Sequence, residues 1–409
     1  MPATRDFDVV LYGATGFTGC QTVEYFARHA PPGLRWAIAA RSRAKLELVR
    51  AEAGLDAGAV ELLVAEGHDQ ASVDAMVART SVLLSTAGPF ALYGSAIVDA
   101  CVRLGTHYAD ITGETPWIRE LIDRHHAKAA ADGTRIVTCC GFDSVPSDIG
   151  TYLLVRTFHE AGTPCAEVRG YYRMAGGFNG GTIASIANIY GSAGGKGLAE
   201  PFLLDPPIAH SAKQVAASKD VRDPFFDERV DTWVGPFLMA AINTRVVRRS
   251  AALWAERGDP YGRDFSYQEY ARYGHPLAAA KAIVATAVLG LVDAGMRTSL
   301  GRELFTALLK PGAGPSTESM DKGFFRTDLL GTGEDGREMR CTVRHQGDPG
   351  NRATVRFLCE SALALALDAD ELPPGGGVLT PATALGSVLA RRLRAAGVTI
   401  TVGGAASEP

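Results

Sequence analysis

Phe7-Asp8-Val9-Val10-Leu11-Tyr12-Gly13-Ala14-Thr15-Gly16-Phe17-Thr18-Gly19 is the stretch that decides the fold. An apolar run that reads as a buried parallel strand enters three glycines spaced by three, and Thr22–Ala27 continues as an amphipathic helix. That is the pattern of a dinucleotide-binding turn. Gly13 permits the tight turn, Gly16 lets backbone approach a pyrophosphate, and Gly19 lets the helix pack closely on the strand. The first helical turn then presents free N–H groups to phosphate. Thr15, Phe17 and Thr18 complete the expected phosphate-side contacts.

The second strand selects the cofactor. Trp36–Ala40 ends in Arg41-Ser42-Arg43, where an NAD site usually carries Asp or Glu to accept from the ribose 2′-hydroxyl. A guanidinium cannot accept, but it pairs with a 2′-phosphate through two charge-assisted bonds. Arg41 and Ser42 therefore point to NADP(H) over NAD(H), while Lys45 and Arg43 are also read as solvated residues at a helix start. Gly88, Pro89 and Phe90, after the fourth strand, are expected to line the nicotinamide half.

Working outward, residues 1–150 alternate strands at 7–12, 35–40, 60–65, 81–86, 107–111 and 134–139 with helices at 18–30, 43–54, 70–79, 93–105 and 115–132. This alternation predicts an α/β fold, a Rossmann-type doubly wound parallel sheet, followed by a second α+β domain. The expected division is an NADP-binding Rossmann domain over 1–155, a substrate or oligomerisation domain over 156–376, and a C-terminal helix in 377–409 that returns to the first. In the second domain, Glu167–Met174 reads as a strand, 182–192 as a helix and 324–345 as a β-hairpin. Helices follow at 351–368 and 379–396, while 197–260 shows no clear periodicity. Leu277–Ala294 is nearly all apolar, and as a helix it is about 27 Å long. Lys281 inside it argues against a membrane span. A buried core helix is the leading reading, and a face touching lipid or a partner is the other.

With 409 residues, 46% hydrophobic content and net charge −4, the chain suits two globular domains and shows no footprint for nucleic acid. Seven cysteines without CxxC spacing fit free thiols in a reducing cytoplasm, and the histidines form no ligand pattern, so no metal is expected.

No Tyr-x-x-x-Lys pair and no G-x-S-x-G elbow is present, so any hydrogen-bond or proton donors belong to the strand-end loops. Tyr93 and Asp143 are the catalytic candidates, with a core aromatic and a loop-ordering carboxylate as their alternative roles. Asp110 and Glu114, flanking a Thr-Gly turn, read either as further donors or as residues that order the loop and favour a helix N-terminus, and Ser147 or Asp148 is expected to cap the next helix. Gly176–Thr182 reads as a strand-to-helix connection or an anion-binding nest.

Gly13–Gly19, Arg41-Ser42, Thr86–Phe90, Tyr108–Glu114, Gly141–Asp148, Asn243-Thr244-Arg245, Lys310–Ser316 and Gly377–Ala382 together resemble the saccharopine dehydrogenase-like family, and within it the trans-acting enoyl reductase branch. Cys20 departs from that pattern, where relatives often carry a basic residue. The resemblance implies an NADPH-dependent reductase of a carbon–carbon double bond in an acyl or lipid chain presented by a polyketide synthase carrier. Other expected associations are a homo-oligomer and peripheral lipid contact through 277–294. The competing readings are a nucleotide-binding protein without turnover on a lipid surface or synthase, and an enzyme acting on an imine or amino acid. The strand-end loops lack the clustered Arg and Lys that a polycarboxylate substrate requires.

Overall fold

A computed structural model describes residues 5–56, 58–177, 179–191, 199–308 and 313–404. Phe178, Lys310, Pro311 and Gly312, singled out above, lie outside the described residues.

The first sheet begins as the sequence reading expects. β1 (Phe7–Tyr12), α1 (Phe17–His29), β2 (Trp36–Ala40), α2 (Arg43–Glu52), β3 (Glu61–Val64), α3 (Gln70–Val77) and β4 (Thr80–Ser85) follow in order. Then come α4 (Phe90–Tyr93), α5 (Ser95–Leu104), β5 (His107–Asp110), α6 (Thr115–Asp132) and β6 (Arg135–Val137). The helix expected over 93–105 is thus two pieces, broken at Gly94, whose added Cβ would lie 2.7 Å from Trp117. Alternate residues feed two cores: Val9 and Leu11 pack on one side of the sheet, Val10 and Tyr12 on the other. Burial on both faces is what a parallel sheet demands.

The chain then crosses over through α7 (Val145–Glu160), β7 (Cys165–Ala175) and α8 (Gly180–Gly191). It continues through α9 (Ala212–Ala217), β8 (Phe225–Asp227), β9 (Thr232–Pro236), α10 (Ala240–Glu256) and β10 (Ser266–Arg272). After these come α11 (Ala278–Met296), α12 (Ser299–Leu308), α13 (Thr317–Lys322), β11 (Phe324–Gly333), β12 (Glu338–Gln346) and α14 (Thr354–Leu367). The last elements are β13 (Gly377–Leu379), α15 (Pro381–Ala384), α16 (Gly386–Ala395) and β14 (Thr399–Gly404). The first sheet has the order β13-β6-β5-β4-β1-β2-β3, all parallel, and the second has β14-β12-β11-β7-β10-β9-β8.

The two sheets share chain in a way the expected boundaries do not mark. α14, from 156–376, packs on β1, β4, β5 and α1 of the first sheet. The C-terminal segment returns to that sheet as a strand as well as helices, while β14 pairs with β12 in the second. Asp148 fastens the return: its carboxylate accepts from the Ser250 hydroxyl and from Ala382 N–H at 2.8 Å. It therefore serves α15, and not its own helix as expected; burial raises it to about 7.

Two further expectations fail for physical reasons. Residues 197–260 hide α10, because Arg245, Arg248 and Arg249 break its apolar periodicity although all three are buried. Their guanidiniums bond backbone carbonyls of Glu200, Pro201, Leu204, Tyr267 and Val378, which offsets the cost of burying charge. α11 is not a core helix. Only Ala278, Ala282 and Met296 are buried, while Leu291 is 73% exposed and Leu300 of α12 is 76% exposed. Each such side chain left in water forgoes about 1.5–3 kcal/mol, so the face is one the isolated chain leaves uncovered.

Candidate active site

A cavity of about 520 Å³ runs along the carboxyl ends of the first sheet. From β2 to β6 is four strand spacings, about 19 Å. Its floor is the glycine turn. Gly13 has φ +86°, and an added Cβ would lie 2.8 Å from Thr86 Oγ1 and 2.9 Å from Ala87 N. Gly19 packs tighter still, its added Cβ falling 2.1 Å from the Gly13 carbonyl oxygen. Gly16 caps α1 with no side-chain hydrogen bond, leaving the first-turn N–H groups facing the cavity.

Of the residues expected at the cofactor, Gly13, Thr15, Gly16, Phe17, Thr18, Arg41, Gly88, Pro89 and Phe90 line this cavity. Gly19 and Ser42 do not. Gly19 supports the turn from behind, and the Ser42 hydroxyl accepts from Lys45 N–H to cap α2. Lys45, read chiefly as a solvated residue, does line the cavity beside Arg41. The two are its only lysine or arginine side chains among the described residues, and both sit at the β2 end with Glu66, 4.0 Å from Arg41. A glycine cradle that a Cβ would fill, an uncapped helix N-terminus and two cations beyond β2 fit the pyrophosphate and 2′-phosphate of NADP(H).

The β6 end is different. Phe142 and Asp143 line the cavity there, with the Thr354 hydroxyl accepting from Phe142 N–H at 3.1 Å, and Met174, Ile186, Ile189, Met239 and Ile242 also line the cavity. Cys139, at φ +61°, turns the chain after β6; its N–H donates to Asp110 Oδ1 at 3.3 Å, and Cys140 N–H donates to the Asp110 carbonyl at 2.7 Å. Asp110 also accepts from Tyr108 and from Thr112 N–H, and burial raises it to about 7. Its expected loop-ordering role is thereby accounted for: it holds the bend that delivers Phe142 and Asp143 to the cavity. No hydrogen-bond donor among the described residues meets the Asp143 carboxyl, and burial raises it to about 6. Tyr93 lines the cavity on the other side, its ring 5.4 Å from that of His68 after β3. The two catalytic candidates thus share a cavity but stand beyond different strands.

The sequence marks Gly176–Thr182 as a connection or nest and 182–192 as a helix, but not their place as the wall facing the sheet. Gly176, Gly177, Asn179, Gly181 and Thr182 line the cavity, followed by Ala184, Ser185, Ile186 and Ile189 of α8. Asn179 is bonded to Asn351 at 2.8 Å and accepts from Thr182 N–H, so the connection is braced by side chains. Glu114 ties this wall to the floor. It accepts from Phe90 N–H at 2.7 Å, Ala91 N–H at 3.1 Å, Ser185 Oγ at 2.9 Å and Asn188 Nδ2 at 3.4 Å. It stands as expected at the N-cap of the helix that follows it, α6, but makes no side-chain bond there, and its carboxylate caps the start of α4 instead. The link to α8 had no sequence signal, since the partners lie about seventy residues apart.

Comparison with known proteins agrees with this geometry. Residues 9–137 match the saccharopine dehydrogenase NADP binding domain. A protein named trans-acting enoyl reductase from Mycobacterium tuberculosis is 38% identical over 97% of this chain and 98% of its own length. The protein of that name from Mycobacterium ulcerans is 36% identical over 98% of both. A second M. tuberculosis protein, with the same name given provisionally, is 39% identical over 98% of both. The saccharopine dehydrogenase (L-Glu forming) of Saccharomyces cerevisiae shares the fold at 12% identity, TM-score 0.54, covering 97% of this chain and 99% of that one. The turn, the basic strand end and the full-length relatives together make this chain an NADP(H)-dependent oxidoreductase that belongs to the trans-acting enoyl reductase family.

Proposed function

We propose that the protein reduces the carbon–carbon double bond of an enoyl thioester, acting in trans on an acyl chain that a polyketide synthase carries. One observation supports this above the rest: among the described residues no lysine or arginine lines the cavity beside Phe142 and Asp143, and both lining cations lie beyond β2. A polycarboxylate or amino-acid substrate finds no clamp there, whereas an acyl chain does not need one.

NADPH, when bound, supplies the hydride that adds to the β-carbon. Gly13, Gly16, Thr18 and the first turn of α1 hold its pyrophosphate, and Arg41 and Lys45 its 2′-phosphate. Phe142, Met239 and Ile242 exclude water from the acyl chain and orient it. Asp143, raised to about 6 by burial, holds its proton up to that pH and delivers it to the α-carbon. Tyr93, beside His68, belongs with the cofactor side and not with proton transfer. The test is incubation with 4-deuterated NADPH, in both stereoisomers, and a long-chain 2-enoyl pantetheine thioester. Deuterium at the β-carbon of the saturated product is the expected result; no reduced product from an NADPH-saturated enzyme overturns the reading.

A second reading concerns attachment. Helix Ala278–Met296 is long and apolar enough to cross a bilayer by length and composition, yet only 11% of it is buried. Leu291, Leu300 and Leu304 give it and α12 a wet apolar face, suited to shallow contact with a lipid surface from a cytoplasmic enzyme. Flotation with anionic vesicles tests it: a protein left wholly in the soluble fraction removes the lipid contact.

A further inference from the structure

The second sheet has one face covered, and the other is packed over Tyr171, Val234 and Tyr270 but open at Arg173 and Arg344. α7 covers the first so closely that a Cβ on Gly150 would lie 2.3 Å from Leu329. On the other face, register sets arginines side by side across neighbouring strands. Arg326 of β11 lies directly opposite Arg173 of β7 and, on its other side, Arg344 of β12. Ala271 pairs with Tyr172, so Arg272 of β10 continues the row beside Arg173. Arg340 stands on the same face of β12, across from Leu330. Like charges directly opposite in a sheet oppose pairing, so this row is costly to the isolated fold.

The compensation is thin. Asp328 pairs with Arg326 at 2.9 Å and with Arg272 at 3.9 Å. Arg173 and Arg344 are exposed and have no ion-pair partner among the described residues. Arg340 Nε is buried without a hydrogen-bond partner. Burial, and then the charge of Arg173 with those of Arg340 and Arg326, lowers the Arg272 guanidinium. Five arginines thus gather around one buried carboxylate, Asp328, with Glu338 and Glu167 at the far end of the same face, in a chain whose net charge is −4. Three residues beyond Arg173, about 10 Å along an extended strand, the chain reaches Gly176 in the cavity wall.

We infer that the arginine-bearing face of the second sheet is the docking surface for an acidic protein domain, the carrier that presents the acyl thioester. This rests on the reading of the enzyme as a reductase acting in trans. Charge complementarity selects the occupant, since a second copy on a two-fold axis would set arginine against arginine. A carrier seated beside the end of β7 lies near the entry to the cavity, while a free thioester needs no such contact.

The experiment uses the full chain with Arg173→Glu and Arg344→Glu together, neither residue belonging to the cavity. Two substrates carry the same trans-2-hexadecenoyl group, one on a strongly acidic acyl carrier protein and one on pantetheine. The expected result is that the double variant loses at least tenfold in kcat/KM on the carrier substrate, through KM, with pantetheine kinetics unchanged. Raising salt from 50 to about 500 mM should reduce the wild type's carrier preference in the same way. Equal losses on both substrates, or none on either, overturn the docking surface. If the wild type reduces neither substrate, the reductase reading fails and docking is judged by titrating the unloaded carrier onto labelled enzyme at low salt. Binding weakened tenfold or more by the double variant upholds the surface. Unchanged binding, no binding, or equally tight binding of a single-stranded RNA of the same charge overturns it.

Discussion

Asp143 and Arg41 stand four strand spacings apart in one cavity, and each makes a prediction the other does not. Among the described residues Asp143 has no donor to stabilise its anion, and burial raises it to about 6. An acid with a raised value is protonated below it and lost above it, so kcat/KM should fall about tenfold per pH unit as pH rises above about 6. Asp143→Asn should remove that limb and lower kcat by about 10²–10⁴ while leaving NADPH affinity, read by nucleotide fluorescence, unchanged. A carboxyl that merely ordered its loop would move stability and leave the pH profile alone. Arg41 is largely exposed, so its bond to a 2′-phosphate is screened and Arg41→Glu should weaken NADPH about tenfold, with little change for NADH. Equal losses for the two nucleotides remove the assigned role. Tyr93→Ala should raise KM for NADPH and spare kcat, because it removes the ring that lies with His68.

At the scale of elements, Glu114 joins α4, at the nicotinamide loop, to α8, the wall over the acyl end. Ser185→Ala with Asn188→Ala cuts only the α8 side, leaving Phe90 and Ala91 N–H satisfied. Loosening that wall should raise KM for the enoyl thioester about tenfold, leaving NADPH affinity intact; an unchanged KM shows α8 to be held by other contacts. Glu114→Gln is harsher, since an amide NH₂ would face an N–H donor, and each orphaned buried group costs about 1–3 kcal/mol. This division also explains what was legible from sequence. The glycine turn, the basic strand end and the βαβ alternation are local patterns, so the first sheet and the cofactor floor could be read from them. α8's place opposite Glu114 is a tertiary fact with no local signature. α10 escaped because its arginines look like a solvated surface until their carbonyl partners are known. The same ambiguity hid the exposure of α11, whose nearly unbroken apolar sequence favours a core helix over the wet face it forms.

At the scale of the molecule, the path of the chain after α12 couples the two sheets. β11 and β12 complete the second, α14 crosses to cover β1, β4 and β5 of the first, β13 extends that first sheet beside β6, and β14 goes back to pair with β12. Asp148 at the start of α7 holds α15, and Arg249 on α10 bonds the Val378 carbonyl in β13. Neither sheet can therefore lose its neighbour without exposing the core that α14 and α16 share. Unfolding in urea should then be one transition, with tryptophan fluorescence, which reads Trp36 and Trp117 in the first unit and Trp233 and Trp254 in the second, coinciding with far-ultraviolet circular dichroism. Truncation after residue 376 removes β13, α15, α16 and β14 together, and with them Leu385, Leu389 and Leu393, all fully buried. Losing such side chains costs about 2–5 kcal/mol each against a total stability of about 5–15 kcal/mol. The truncated chain should accordingly show no cooperative transition. A truncated protein that still bound NADPH and unfolded cooperatively would mean that the first sheet is self-sufficient, and that the returning strand only trims its edge.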